Sequence, residues 1–260
     1  MATFKRDGHE IAYEVHGAGT PTILLHGVTV SFAGNYAAWG WIERLNAAGC
    51  QVIGMDFRGH GRSDKPRDPS AYGTDNLAGD ALALLDHLGH ARASVIGYSL
   101  GSGIALNLLH RAPTRIGPSV LIATGDGLLG YSPYTPAEVF ARLENALARE
   151  EFPADLPSHE SAYWTFAVNV GGDRLAAKAA VQAQYRACSL AEAGSIESPV
   201  LVVSGEADPV LGRGPRLAQS IPRGRYLEIP GADHFVLCRH DAALSAVEEF
   251  FRLHNGRTGA

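Results

Sequence analysis

The chain is poor in cysteine. Cys50, Cys188 and Cys238 are odd in number and widely spaced. They supply neither a disulfide framework nor a Cys-x-x-Cys metal pair, and a reducing, cytoplasmic setting is the expectation. Long apolar runs are also missing. No stretch reaches the roughly 18 residues of a membrane span, and no apolar core follows the charged opening Met1–Arg6. Neither a membrane partner nor a cleaved leader is expected. Excess positive charge is lacking too: 22 Lys and Arg face 27 Asp and Glu, a net of −5. That leaves no basic footprint for nucleic acid. Eleven histidines are present, yet none falls in a His-x-x-x-His or His-Glu-x-x-His pair. No metal site and no cofactor are therefore expected, and the partner is a small-molecule substrate.

What is present is 260 residues, 46% of them hydrophobic, enough for one large core and a small inserted lobe. Short β-branched runs alternate with longer amphipathic ones. Strands are predicted at Glu10–Val15, Thr22–Leu25, Gln51–Gly54, Ala93–Gly97, Ser119–Ala123, Val200–Ser204 and Arg225–Ile229. Helices are predicted at Tyr36–Ala48, Thr74–Leu88, Leu100–Arg111, Pro215–Ser220 and Asp241–Leu253, with Gly49, Gly89 and Pro113 as stops. Only the tail from His254 to Ala260 reads as disordered. This alternation implies an α/β fold, a mostly parallel central sheet covered on both faces. In such sheets the reacting groups gather beyond the carboxyl ends of the strands.

One stretch stands out at such an end. Val95-Ile96-Gly97-Tyr98-Ser99-Leu100-Gly101 runs from a strand into a helix with the Gly-x-Ser-x-Gly spacing of a nucleophile elbow. Small residues are required because the turn strains the serine backbone and leaves no room beside it. Gly130-Tyr131-Ser132 copies half of the pattern but meets Pro133. Asp208 follows the strand Val200–Ser204, and His234 follows Arg225–Ile229. Both fall in loops at the same sheet edge, in the chain order Ser, Asp, His. His26-Gly27-Val28 follows Thr22–Leu25, so its backbone can turn an N–H toward Ser99.

Assembled, these segments resemble the α/β-hydrolase superfamily, in its single-domain esterase-like branch with a helical cap, from about Thr3 to Leu253. The resemblance rests on Leu25-His26-Gly27, Asp56-Phe57-Arg58-Gly59-His60-Gly61-Arg62-Ser63, Gly97-Tyr98-Ser99-Leu100-Gly101, Gly205-Glu206-Ala207-Asp208 and Gly231-Ala232-Asp233-His234. Ser102 departs from the pattern, where many members carry a second glycine. The resemblance implies Ser99 as nucleophile, His234 as base and then acid, and Asp208 as the carboxylate orienting the imidazole. It places the oxyanion hole at the N–H groups of Val28 and Leu100. Asp126 is the alternative acid; Asp233 points away from its neighbour's ring. Asp56, Arg58 and His60 read as turn-fixing residues, and His26 as a loop organiser.

Residues 127–186 interrupt the alternation and read as a helical cap, leaving a core of 1–126 and 187–260. Thr135-Pro136-Ala137-Glu138 is a capping box, and Asp173 can cap an alanine-rich helix through Tyr185. The aromatic surplus (Tyr131, Tyr134, Phe140, Phe152, Tyr163, Trp164, Phe166) serves mainly to dock this lobe. Trp164 and Phe166 from the cap, with Phe32 and Tyr98 opposite, are the expected pocket lining. The expected reaction is cleavage of an ester-like acyl bond in a small, mostly apolar substrate through an acyl-enzyme. Alternatives within the fold are a carbon–carbon bond hydrolase of a diketone, a lactonase, and a cofactor-free haloperoxidase or perhydrolase. Outside enzymes stands a ligand receptor on the same scaffold.

Overall fold

The computed structural model describes residues 2–130, 136–169, 172–183 and 185–255, with the side chains of residues 136 and 137 excepted. The strands are β1 Ala2–Arg6, β2 His9–His16, β3 Thr20–Leu25, β4 Cys50–Met55, β5 Ala93–Tyr98, β6 Ile116–Ile122, β7 Val200–Gly205 and β8 Gly224–Ile229. The helices are α1 Phe32–Asn35, α2 Trp41–Ala47, α3 Thr74–His87, α4 Leu100–Arg111, α5 Pro136–Ala148, α6 Ser158–Asn169, α7 Arg174–Gln182, α8 Leu190–Gly194, α9 Pro215–Ser220 and α10 Asp241–Asn255.

The strands join in one sheet in the order β1-β2-β4-β3-β5-β6-β7-β8. β1 and β2 pair antiparallel, as do β2 and β4, and every later pair is parallel. Side chains alternate across the sheet, so each central strand feeds two cores. Ile23, Leu25, Val95, Leu121 and Val202 enter one layer with α3 and α4. Leu24, Ile96, Val120, Leu201 and Val203 enter the other with α2 and α10. Strand β3 passes outward to β4, and the chain then returns to β5 on the other side of β3. The loops leaving β3 and β5 therefore diverge, opening a crevice at their carboxyl ends.

The predicted helix over 36–48 is broken. Gly40 adopts φ +79°, a left-handed turn that an α-helix cannot include, and only Trp41–Ala47 continues as α2. Strand β1 was not predicted at all. Asp173 does cap its helix, accepting from the N–H groups of Leu175 and Ala176, but that helix ends at Gln182 rather than Tyr185. The helix α10 takes in His254, which the sequence assigned to the tail; residues 256–260 lie outside the described residues, as do Tyr131, Tyr134 and the Thr135 end of the capping box. Helix α5 packs on α6 and α7, and their Leu143, Leu147, Tyr163, Ala177 and Val181 share the apolar cluster of Leu100 and Ile104.

Beside the sheet, Asp80 on α3 is fully buried and accepts from Arg58 Nε at 2.8 Å and from Arg6 Nη1 at 2.9 Å. Arg58 itself is 1% exposed, so the pair is desolvated on both sides. Removing one partner strands the other charge. Asp80→Ala is expected to lower stability by about 3–5 kcal/mol, measured by urea unfolding; a loss under about 1 kcal/mol would contradict this account.

Candidate active site

The turn from β5 into α4 places Ser99 at φ 52° and ψ −111°, a conformation costing on the order of 1–3 kcal/mol outside glycine. Its neighbours hold it there. The Ser99 N–H donates to Ile122 O on β6 at 2.9 Å, and its carbonyl accepts from the Ser102 N–H at 2.9 Å. The close packing explains the flanking glycines. A Cβ at Gly101 would come 2.0 Å from Leu25 O, and one at Gly97 would come 2.4 Å from Gly101 O. Ser102, the departure from the family pattern, bridges the strands beneath: its hydroxyl lies 2.9 Å from both Gly97 O and Ile122 O and accepts from the Ile122 N–H.

Three buried side chains from three strand ends meet here. Ser99 Oγ lies 2.9 Å from His234 Nε2, and His234 Nδ1 lies 2.8 Å from Asp208 Oδ2. The remaining Asp208 oxygen accepts from the Val210 and Leu211 N–H groups at 2.7 and 3.0 Å. Burial works against the Asp208 charge, but His234 and these donors outweigh it and hold the carboxyl below its ordinary range. Tyr98 clamps the histidine from behind, its hydroxyl donating to His234 O at 2.5 Å. The competing carboxylates are engaged elsewhere. Asp126 accepts from the Leu217 N–H at 2.9 Å, and Asp233 from the Phe235 and Val236 N–H groups at 2.8 and 3.0 Å.

The loop after β3 comes up against the serine: a Cβ on Gly27 would sit 3.6 Å from Ser99 Cβ. Val28 follows, and among the described residues its N–H and that of Leu100 pair with no acceptor. His26 organises this loop. Its Nδ1 donates to Gly27 O at 2.7 Å, and its Nε2 accepts from the Phe57 N–H at 3.0 Å, so both nitrogens are committed and the ring is neutral. Asn35 takes the Gly27 N–H at 2.8 Å, and the Tyr36 hydroxyl donates to Leu25 O at 2.9 Å. Neither Asn35 nor Tyr36 carries a sequence signal, because their task is to hold backbone that only the fold brings near. Asp56 fixes the next loop by accepting from the Phe32 and Arg62 N–H groups at 2.8 and 2.9 Å.

Two clefts meet at Ser99, sharing Val28 and Tyr163. The first is walled by Leu100, Ile104, Leu128, Val139, Phe140 and Leu143 and reaches Arg186. The second runs past His234, Tyr98, Phe166, Phe235 and Trp39 to Arg239. Of the four residues expected to line the pocket, Tyr98 and Phe166 border the second cleft. Phe32 and Trp164 line neither cleft. Phe32 is spent on the core, its ring filling the space over Gly54, where a Cβ would sit 2.4 Å away. Trp164 turns outward, donating to Arg149 O at 3.0 Å and packing edge-on against exposed Phe152. Among the described residues no cluster of His, Cys, Asp or Glu has the makings of a metal site, and no helix is long and apolar enough to cross a membrane.

A family model for the alpha/beta hydrolase fold matches residues 20–167, more than half of the chain, which therefore belongs to that family. Among curated proteins, the chain is 37% identical over 139 residues to the dihydrolipoyllysine-residue acetyltransferase component of the acetoin cleaving system of Pseudomonas putida. That match covers 52% of this chain and 35% of the relative; the chain spans about a third of the length of the first curated relatives it matches. A hydrolase from Pseudomonas aeruginosa has 26% identity and a TM-score of 0.76, with 96% of this chain and 97% of that one covered. The enol-lactonase of Burkholderia xenovorans has 26% identity and a TM-score of 0.70, with 96% and 99% covered.

Two buried histidines near the site set an acid limit on the fold. Burial lowers His26 to about 4, and burial with neighbouring His26 lowers His60 to about 3, from 6.5. The unfolded chain then binds more protons at mildly acid pH, so this stability is complete above 6.5 and is lost as pH falls toward 4. The urea midpoint is expected to drop between pH about 7.5 and about 5. A midpoint that stays level over that range would contradict neutral His26 and His60.

Proposed function

We propose that the protein is a serine hydrolase that cleaves an ester-like acyl bond in a small substrate with an apolar acyl group, through an acyl-enzyme. The hydrogen-bonded chain Asp208–His234–Ser99, at 2.8 and 2.9 Å, carries this reading. A serine hydroxyl is a weak nucleophile until a base takes its proton. His234 Nε2 is within reach of that proton, and Asp208 fixes the Nδ1–H tautomer and balances the imidazolium. Ser99 Oγ bonds to the carbonyl carbon, and its proton passes to His234. The tetrahedral oxyanion rests against the N–H groups of Val28 and Leu100, a pair of donors with no other acceptor among the described residues. Collapse breaks the carbon–oxygen bond to the leaving alcohol, which takes the proton from His234. Water, deprotonated by the same nitrogen, then releases the acid and restores Ser99.

Proton flow assigns the clefts. The leaving oxygen must face His234, which lines the second cleft only, so the alcohol occupies that cleft and the acyl group the first. Residues 127–186 act as the cap: Val139, Phe140 and Leu143 close the acyl side, and Phe166 the alcohol side. The likeness to an enol-lactonase supports lactones as candidate substrates beside open-chain esters.

Ser99→Ala is expected to abolish fluorophosphonate labelling and to cut ester hydrolysis by about a thousandfold or more, with the near-ultraviolet circular dichroism unchanged. Residual turnover above about a tenth of the wild-type rate would remove Ser99 from the mechanism. The pocket assignment has its own test. Phe166→Ala is expected to shift relative kcat/KM among esters of differing alcohol size by about tenfold, whereas Trp164→Ala changes all of them alike. A size-dependent shift in Trp164→Ala instead would refute the lining described here.

A further inference from the structure

The two clefts differ in charge at their outer ends. In the acyl cleft, the Arg186 guanidinium is neutralised by Glu192, Nη2 to Oε1 at 3.1 Å. In the alcohol cleft, Arg239 pairs with no carboxylate among the described residues. Asp233, six positions earlier in the chain, is held by the Phe235 and Val236 N–H groups and leaves Arg239 alone. The Arg239 guanidinium carbon sits 5.7 Å from the Trp39 ring centre, and the Trp39 indole is itself fixed by donating to Gly34 O at 2.9 Å. A cation stacked on a tethered ring is held in place without losing its charge. Among the described residues, Arg239 is, apart from His234, the one ionisable basic side chain along this cleft, in a chain of net charge −5.

We propose that the leaving alcohol carries a carboxylate, which Arg239, stacked on Trp39, receives at the outer end of the second cleft. This rests on the hydrolase reading above and extends it to a substrate class: an apolar acyl group esterified to an anionic alcohol or phenol. During acyl transfer the leaving oxygen takes the His234 proton, while the carboxylate stays ionised and bound to the guanidinium. The planar fork of arginine suits a carboxylate bidentately, so lysine is an incomplete substitute. On the acyl side no unbalanced charge is offered, which favours an uncharged chain among Ile104, Val139 and Leu143.

The test compares 4-butyryloxybenzoate with its uncharged amide, 4-butyryloxybenzamide, which share the acyl group and a phenolic leaving oxygen. Wild type is expected to prefer the benzoate by kcat/KM, and about 1 M salt is expected to erode that preference. Arg239→Gln is expected to lower the benzoate-to-amide ratio about fivefold, with Arg239→Lys falling between. Fluorophosphonate labelling of Ser99 is followed in the same preparations. Labelled Ser99 with no preference for the benzoate, or a ratio unmoved in Arg239→Gln, overturns this inference and leaves the hydrolase reading standing. Unlabelled Ser99 with neither ester cleaved overturns both.

Discussion

The strained turn at Ser99 is the constraint on which the site depends. A serine at φ 52° has its side chain lifted off the end of β5, clear of both the strand and the helix that follows. That posture persists only because the surroundings over-determine it. Leu25 O sits where a side chain on Gly101 would go, and the Ser102 hydroxyl ties Gly97 to Ile122 underneath. The turn is thereby welded to β3 and β6, the two strands flanking β5. Against that fixed point, a histidine 135 positions later can meet the serine at 2.9 Å. The strain is met by packing in the sheet, where β5 is buried at every residue.

Histidine shows how partners decide a residue's work. His26 and His234 are both buried at the carboxyl edge of the sheet. His26 faces a carbonyl and a backbone N–H, two neutral groups that lock one neutral tautomer and leave no nitrogen to take a proton. His234 faces a carboxylate and a hydroxyl, which can stabilise a charged ring and supply a proton to it. In the reaction proposed here only His234 can cycle, and His26 serves by shaping the loop that carries Val28.

The parts of this arrangement legible in the sequence are those written in local chemistry. Gly-x-Ser-x-Gly marks a turn that other residues cannot make, and the order of Ser99, Asp208 and His234 follows from strand ends that β-branched runs announce. Helix α4 falls at Leu100–Arg111 as predicted, since the elbow starts it and Pro113 stops it. What depends on distant packing was not legible. Strand β1 is short and half exposed, with no apolar alternation to reveal it. The pocket residues show the same limit, with one signal overlooked. On a helix, residues two apart face in different directions, whereas residues three apart share a face. Trp164 and Phe166 therefore could not both line one cleft, while Tyr163 and Phe166 could. Both of the latter pack on Phe235, with ring centres 5.4 and 6.0 Å away.

The two clefts also explain why the site needs helices from between β6 and β7. The sheet edge alone offers Ser99, Val28 and Leu100 on an open shelf, where water would compete for every hydrogen bond. Helix α5 closes the first cleft with Val139, Phe140 and Leu143, and α6 lays Tyr163 across the junction that both clefts share. Tyr163 is 4% exposed, and burial with nearby Asp208 pushes its phenol well above the ordinary range. It therefore adds bulk at the junction and no competing charge. A carbonyl set there lies between its two substituents' clefts, with the unpaired backbone donors on one side and His234 on the other. In the reaction proposed above, the direction of cleavage then follows from position: the group that shares a cleft with His234 is the group that receives the proton and leaves.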